Sequence, residues 1–167
     1  MLKLPDQQSL IDIESIKYLK AYYGKYADEK YTADHQRKPQ EEIDRLAWLQ
    51  SGVFTDDAIW DGGAFGVLEG RQAIYDNLRT GPWSFGAHYY VSPLIEVDGN
   101  KATGRWVLWQ VGTLTRENTP IILSAVTEDE YRRTDEGWRL SKMRQTTKFM
   151  TRHDVPWSVN RNAPFTF

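Results

Sequence analysis

The stretch from residue 88 to residue 114, "HYYVSPLIEVDGNKATGRWVLWQVGTL", decides how this chain folds. It holds two runs rich in β-branched and aromatic residues, separated by Asp98-Gly99-Asn100, a sequence that turns a chain back on itself. Two long antiparallel strands are the expectation. In the second run Gly104, Trp106, Leu108 and Gln110 share one face, while Arg105, Val107, Trp109 and Val111 share the other, because side chains alternate along a strand. Both faces are largely apolar, so neither suits water. One should meet the protein's own interior. The other calls for a cover, and a second copy of the chain is the expected one.

Working outward, "IILSAVTEDEYRRTDEGWRLSKMRQTTKFM" (121–150) reads as a second hairpin that turns at Asp135 to Gly137. Upstream the period changes. "SLIDIESIKYLKAYYGKYAD" (9–28) sets Ile13, Ile16, Leu19 and Tyr23 at three-and-four spacing, which predicts a first helix capped by Ser9. "EKYTADHQRKPQEEIDR" (29–45) is polar and interrupted by Pro39, so an exposed loop should run into a second helix over Gln40 to Leu49. "DDAIWDGG" (56–63) and "FGVLEG" (65–70) are short strand candidates around a glycine turn, and "GRQAIYDNLRT" (70–80) is a third helix. Helices followed by long antiparallel strands give an α+β architecture, a curved antiparallel sheet wrapped around N-terminal helices. One domain over 1–167 is expected, with a core at 8–150. The tail 151–167, with two prolines and no period, should lie as an extended lid or as an arm on a neighbouring subunit.

Composition narrows the function. The 167 residues are 40% hydrophobic and 26% charged, enough for one domain with a real core. A net charge of −2 and a pI near 5.9 leave no basic surplus for a phosphate backbone, so nucleic acid is not an expected partner. The absence of cysteine excludes a disulfide framework, a thiolate nucleophile and a cysteine zinc site. The N-terminal residues carry no apolar signal region and no run is long enough to span a membrane, so no membrane partner and a cytoplasmic location are the expectations. Aromatic residues make up 13% of the chain, seven Trp and nine Tyr among them, which suits either core packing or the lining of a cavity. "DGGAFG" lacks the lysine and helix start of a phosphate loop and reads as a turn. No two histidines have metal-ligand spacing on one element, so neither a metal nor another cofactor is expected.

The order "IESIKYLKAYYGKYAD", "FTDDAIWDGGAFGVLEGRQAI", "AHYYVSPLIEVDGNKATGRWVL", "AVTEDEYRRTDEGWRLSKM" resembles the SnoaL-like branch of the nuclear transport factor-like fold over residues 8 to 150. The last piece is similar to a hairpin of the hexachlorocyclohexane dehydrochlorinases. "IESIKYLKAYYGKY" and "ATGRW" are similar to bile-acid 7α-dehydratase. The loop around residues 30 to 42 is longer than those relatives carry. The resemblance implies a cone whose open end admits a small hydrophobic molecule, and a homo-oligomer, commonly a trimer. It also implies a catalytic histidine at His88, its aspartate partner at Asp28 and an acid-capable tyrosine at Tyr23. By alternation anchored on the relatives, the pocket lining falls on Trp60, Trp106, Leu108, Gln110, Leu123, Ala125, Met143, Gln145 and Thr147. The chain also departs from its relatives. An acidic residue of the bile-acid enzyme stands as Gln110, and the pocket arginines of the two enzymes fall at Met143 and near Thr147. The neighbouring Arg144 should point to the opposite face.

A neutral imidazole is well matched to removing a proton near neutral pH, and a carboxylate on its second nitrogen holds the tautomer. The expected function is thus a cofactor-independent lyase, of dehydratase or dehydrohalogenase type, or an isomerase, acting on a small, hydrophobic, cyclic substrate. The residues alone leave other readings open. His88 suits a hydrogen-bonded core residue, Tyr23 suits plain packing, and Asp28 lies off the apolar stripe at a helix end that disfavours negative charge. His35 and His153 read as surface residues. A non-catalytic ligand-binding cone, or an assembly subunit such as the β subunits of ring-hydroxylating dioxygenases, is the alternative.

Overall fold

A computed structural model describes residues 5–154 except residue 117. The elements run α1 (Gln7–Asp28), α2 (Gln40–Ser51), β1 (Phe54–Asp61), a 3₁₀ turn (Gly63–Phe65), β2 (Val67–Glu69), α3 (Arg71–Thr80), β3 (Trp83–Asp98), β4 (Lys101–Leu114), β5 (Thr119–Thr134) and β6 (Gly137–Arg152). The strands form one sheet in the order β2-β1-β6-β5-β4-β3.

The expected α+β layering is present, with one correction: the sheet is mixed, because β1 pairs parallel with β6 while every other neighbour is antiparallel. β3 to β6 form a meander, and the direction in which its last strand meets β1 depends on how far the helices carry the chain across the sheet. No local pattern encodes that. Both predicted turns close the meander. Gly99 takes a φ of 58° as the first residue of a two-residue loop, a left-handed conformation that costs glycine little.

The sheet curves where strands carry an extra residue. Register shifts fall between Val91 and Leu94 in β3, opposite Ser124/Ala125 in β6, and opposite Glu130/Tyr131. Each bulge bends and twists its strand, which lets strands of 14 to 16 residues wrap the helices. Pro93 sits in the β3 irregularity. β3 is an edge strand, where a missing N–H breaks no ladder.

α1 starts earlier than expected. Asp6, not Ser9, is its cap, and the Asp6 carboxylate accepts from the Ser9 backbone N–H at 2.8 Å. Its buried face runs through Asp12, Ile16, Lys20, Tyr23, Gly24 and Ala27, so two charged residues lie on the side that meets the sheet. Asp12 accepts from the Trp138 indole at 3.1 Å and pairs with Arg133 at 2.6 Å. β6 continues to Arg152, two residues into the stretch read as a tail, and residues beyond 154 lie outside the described part.

On β4 the even-numbered residues from Ala102 to Leu114 are buried and face the helices. The opposite face keeps Tyr89, Val91 and Trp109 substantially exposed, with Trp109 edge-on to Phe149.

Candidate active site

The helices and the concave sheet face enclose a cavity of about 360 Å³. His88 and Tyr90 on β3, Leu108 and Gln110 on β4, and Met143 and Gln145 on β6 supply the sheet side. Trp60 on β1, Tyr23 and Ala27 on α1, and Leu78 near the end of α3 supply much of the rest.

His88 and Gln110 are cross-strand partners, so their side chains enter side by side. His88 Nδ1 lies 2.7 Å from Asp28 Oδ1, and both Asp28 oxygens sit 3.1 Å from the His88 backbone nitrogen. That backbone N–H is free for Asp28 because β3 is the sheet edge and the end of α1 covers it. A carboxylate only accepts, so a neutral His88 donates from Nδ1 and keeps its Nε2 lone pair for another partner. The pair is partly open to solvent, with side chains 18% and 36% exposed.

Asp28 reaches the site although it lies off the Ile16, Leu19, Tyr23 stripe. The stripe was read from apolar residues alone, whereas the buried face includes Lys20 and Gly24 and thus turns toward Ala27 and Asp28. Tyr23 is buried against Phe54 and Tyr90, and burial pushes its hydroxyl well above the usual tyrosine range, which keeps it neutral. The Trp60 indole N–H lies near enough to that hydroxyl to oppose the shift, yet it is buried and among the described residues has no partner in hydrogen-bonding geometry.

Of the nine expected lining residues, Trp60, Leu108, Gln110, Met143 and Gln145 border the cavity. Trp106, Leu123, Ala125 and Thr147 do not, and for these four the expectation is corrected. Leu123 and Ala125 are fully buried with Leu108 and Ile121 in a side-chain layer that fills the sheet's inner surface. Trp106 lies deeper and donates from Nε1 to the Tyr131 hydroxyl at 3.1 Å. Thr147 comes just before the β6 irregularity and accepts from Gln145 Nε2 at 3.3 Å. Alternation assigns a residue to a strand face, whereas a cavity occupies only part of that face. Arg144 points outward and pairs with Glu128. His153 is exposed, and His35 is exposed with its ring stacked on Phe85.

The sequence reading missed two groups. The loop expected to be exposed folds back through a bridge between Tyr31 and Arg37, and Lys30, Tyr31 and Arg37 all border the cavity. Lys30 donates to Gln50 Oε1 at 2.6 Å and to the Leu78 carbonyl at 2.8 Å. Burial, reinforced by the Arg37 charge and opposed by that of Asp28, lowers the Lys30 ammonium to about 7. Burial likewise pushes the Tyr31 hydroxyl up to about 12. Nothing in a charged, proline-bearing stretch signalled this. The second group lies on the cone floor, where Lys20 Nζ meets Asp129 Oδ2 at 2.8 Å and Asp129 also accepts from the Tyr131 hydroxyl at 2.8 Å. Continuing the alternation from Leu123 and Ala125 through Thr127 to Asp129 and Tyr131 would have found its sheet half. Among the described residues no cluster of three His, Asp or Glu side chains could hold a metal ion.

A family described as a SnoaL-like domain matches residues 43–144, more than half of the chain. The chain belongs to the SnoaL-like family. Over 144 residues it is 28% identical to gamma-hexachlorocyclohexane dehydrochlorinase of Sphingobium indicum, with 84% of this chain and 86% of that protein covered. The hexachlorocyclohexane dehydrochlorinase LinA-type3 of Novosphingobium barchaimii superimposes with a TM-score of 0.73 at 23% identity, covering 91% of this chain and 99% of that one. An NTF2-like protein with a cystatin-like fold from Novosphingobium aromaticivorans gives a TM-score of 0.65 at 22% identity over 84% of each chain. At such identities the superpositions speak for the fold, a SnoaL-like α+β cone.

Proposed function

We propose that this SnoaL-like protein is a cofactor-independent lyase that eliminates a small leaving group from a small hydrophobic, cyclic substrate. The observation that carries this reading is the 2.7 Å contact between His88 Nδ1 and Asp28 on the wall of a largely aromatic cavity. His88 Nε2 accepts the substrate's C–H proton, the freed electron pair forms the double bond, and the leaving group departs with its own bonding pair. Asp28 stabilises the imidazolium, and Tyr23 donates to the departing group. The family relation to dehydrochlorinases supports elimination over a purely binding role.

Candidate halogenated and hydroxylated ring compounds are incubated with the protein, and substrate loss is followed by chromatography. His88→Ala and Asp28→Asn should each lower the rate by roughly 10² to 10⁴, as expected for a positioned base. The double variant should be scarcely slower than His88→Ala, because the two act as a unit, and Tyr23→Phe should slow turnover while keeping the fold. Full activity in His88→Ala would return the histidine to a packing role.

We infer also that the chain is a homo-oligomer, a trimer by analogy with the resemblance, through the outer sheet face around Tyr89, Val91 and Trp109. Light scattering of the wild type and of Trp109→Glu tests this, and a monomeric wild type would overturn it.

A further inference from the structure

Among the described residues, the Lys and Arg side chains that border the cavity are Lys30 and Arg37, and no carboxylate does; the Asp28 carboxylate lies behind His88. Arg37 directs its guanidinium at three backbone carbonyls, those of Arg79 at 2.7 Å, Gly81 at 3.0 Å and Trp83 at 3.3 Å. Its hydrogen bonds are spent on holding the loop to α3 and the start of β3. Lys30 differs. Its two partners, Gln50 and the Leu78 carbonyl, are neutral, whereas an ammonium carries three N–H groups, so one donor remains at the cavity wall and, among the described residues, no carboxylate is in contact with the charge, Asp28 acting on it only from farther off. A buried cation with no counter-charge in contact is costly, and a ligand able to place one against it recovers part of that cost. The remaining lining is dominated by rings, with Tyr23, Trp60, Phe65, Trp83 and Tyr90 all present.

We propose that Lys30 is a substrate-binding residue that takes an oxygen anion, a carboxylate or an enolate-type oxygen, on a ring-sized and otherwise apolar substrate. The proposal rests on the reading of the cavity as the substrate site, and it is independent of whether His88 is the base. Its chemistry is local. An anion that settles on Lys30 supplies the missing counter-charge and raises the ammonium's affinity for its proton. Above the point where Lys30 is half charged, binding therefore draws a proton from solvent. The groups facing Lys30 are Asp28 from the end of α1, Tyr31 and Arg37 from the loop, Gln50 from α2 and the Leu78 carbonyl from α3, with His88 across the cavity. His88, across the cavity, serves as the control for proton uptake.

Benzoate, with benzyl alcohol as its uncharged counterpart, is the probe. Titration calorimetry at pH about 8 in two buffers of different ionisation enthalpy reads affinity and proton uptake together. The wild type should bind benzoate at millimolar or lower concentration, more tightly than benzyl alcohol, with uptake approaching one proton. Lys30→Met should weaken benzoate by roughly tenfold to a hundredfold, the loss of one charge-assisted bond, leave benzyl alcohol little changed and abolish the uptake. Lys30→Gln keeps a donor for the Leu78 carbonyl without the charge and reports the same loss if Lys30→Met does not fold. His88→Gln separates the two groups: proton uptake on binding should persist in it. Absent benzoate binding in the wild type, equal affinity in the Lys30 variants, or uptake that vanishes with His88 and persists without Lys30 would each overturn the proposal. Failure of the elimination reading shows separately, in the substrate-loss assay of His88→Ala.

Discussion

Two buried lysines, ten residues apart in sequence, mark two regions with opposite electrostatic designs. On the cone floor Lys20 is sealed from solvent, pairs with Asp129 and lies 4.2 Å over the Tyr90 ring. On the cavity wall Lys30 is buried almost as deeply but rests on an amide and a backbone carbonyl. Burial pushes both ammonium groups down, and at Lys20 the neighbouring carboxylate opposes it. The floor is thus a hydrogen-bonded chain from Lys20 through Asp129 and Tyr131 to Trp106 that joins α1 to the sheet. The wall leaves a charge with no carboxylate in contact among the described residues. Equal burial of one residue type does not mean equal availability; the partner decides it.

Removing half of the floor pair should give the largest effect. Lys20→Met strands the Asp129 carboxylate and should cost about 3–5 kcal/mol of unfolding free energy in a urea titration, while Lys20→Met with Asp129→Leu should recover much of that. A double variant no more stable than the single one would show that the pair is not what holds the floor.

Lys30 yields a smaller effect, one that depends on pH. Lys30 binds its proton with a pKa near 7 in the folded chain against 10.5 when unfolded. Between these values the unfolded chain holds more protons, so stability rises with pH, and below about 7 Lys30 stays charged at its full cost. The contribution climbs by up to about 1.4 kcal/mol per pH unit. The difference in stability between wild type and Lys30→Met, measured from pH 6 to 9 by urea unfolding, should therefore shift in favour of the wild type as pH rises. A difference independent of pH would place Lys30 with Lys20 as a compensated charge.

How legible each region was follows from the same contrast. Residues on regular elements could be grouped from the sequence: period two set Leu108 with Gln110 on one face of its strand, the resemblance chose that face and the one bearing Met143 and Gln145 as the inner ones, and helical spacing set Tyr23 on the apolar stripe. His88 and Asp28 were paired only through resemblance, since sixty positions separate them and the helix stripe pointed elsewhere. The loop carrying Lys30, Tyr31 and Arg37 was read as exposed because its composition is polar. Burial of those residues depends on acceptors from α2, α3 and the start of β3, which no local pattern specifies.

By itself the sequence determined the local geometry: the turns at Gly99 and Gly137, the long alternating strands, three helices and hence the α+β layering, because periodicity and turn chemistry act over a few residues. The tertiary structure alone decided that β1 runs parallel to β6, where along the inner face the wall gives way to a void, and which buried charges find a counter-charge. Those outcomes depend on the meeting of segments tens of residues apart, where the bend of a bulged strand and the reach of a side chain set what touches what.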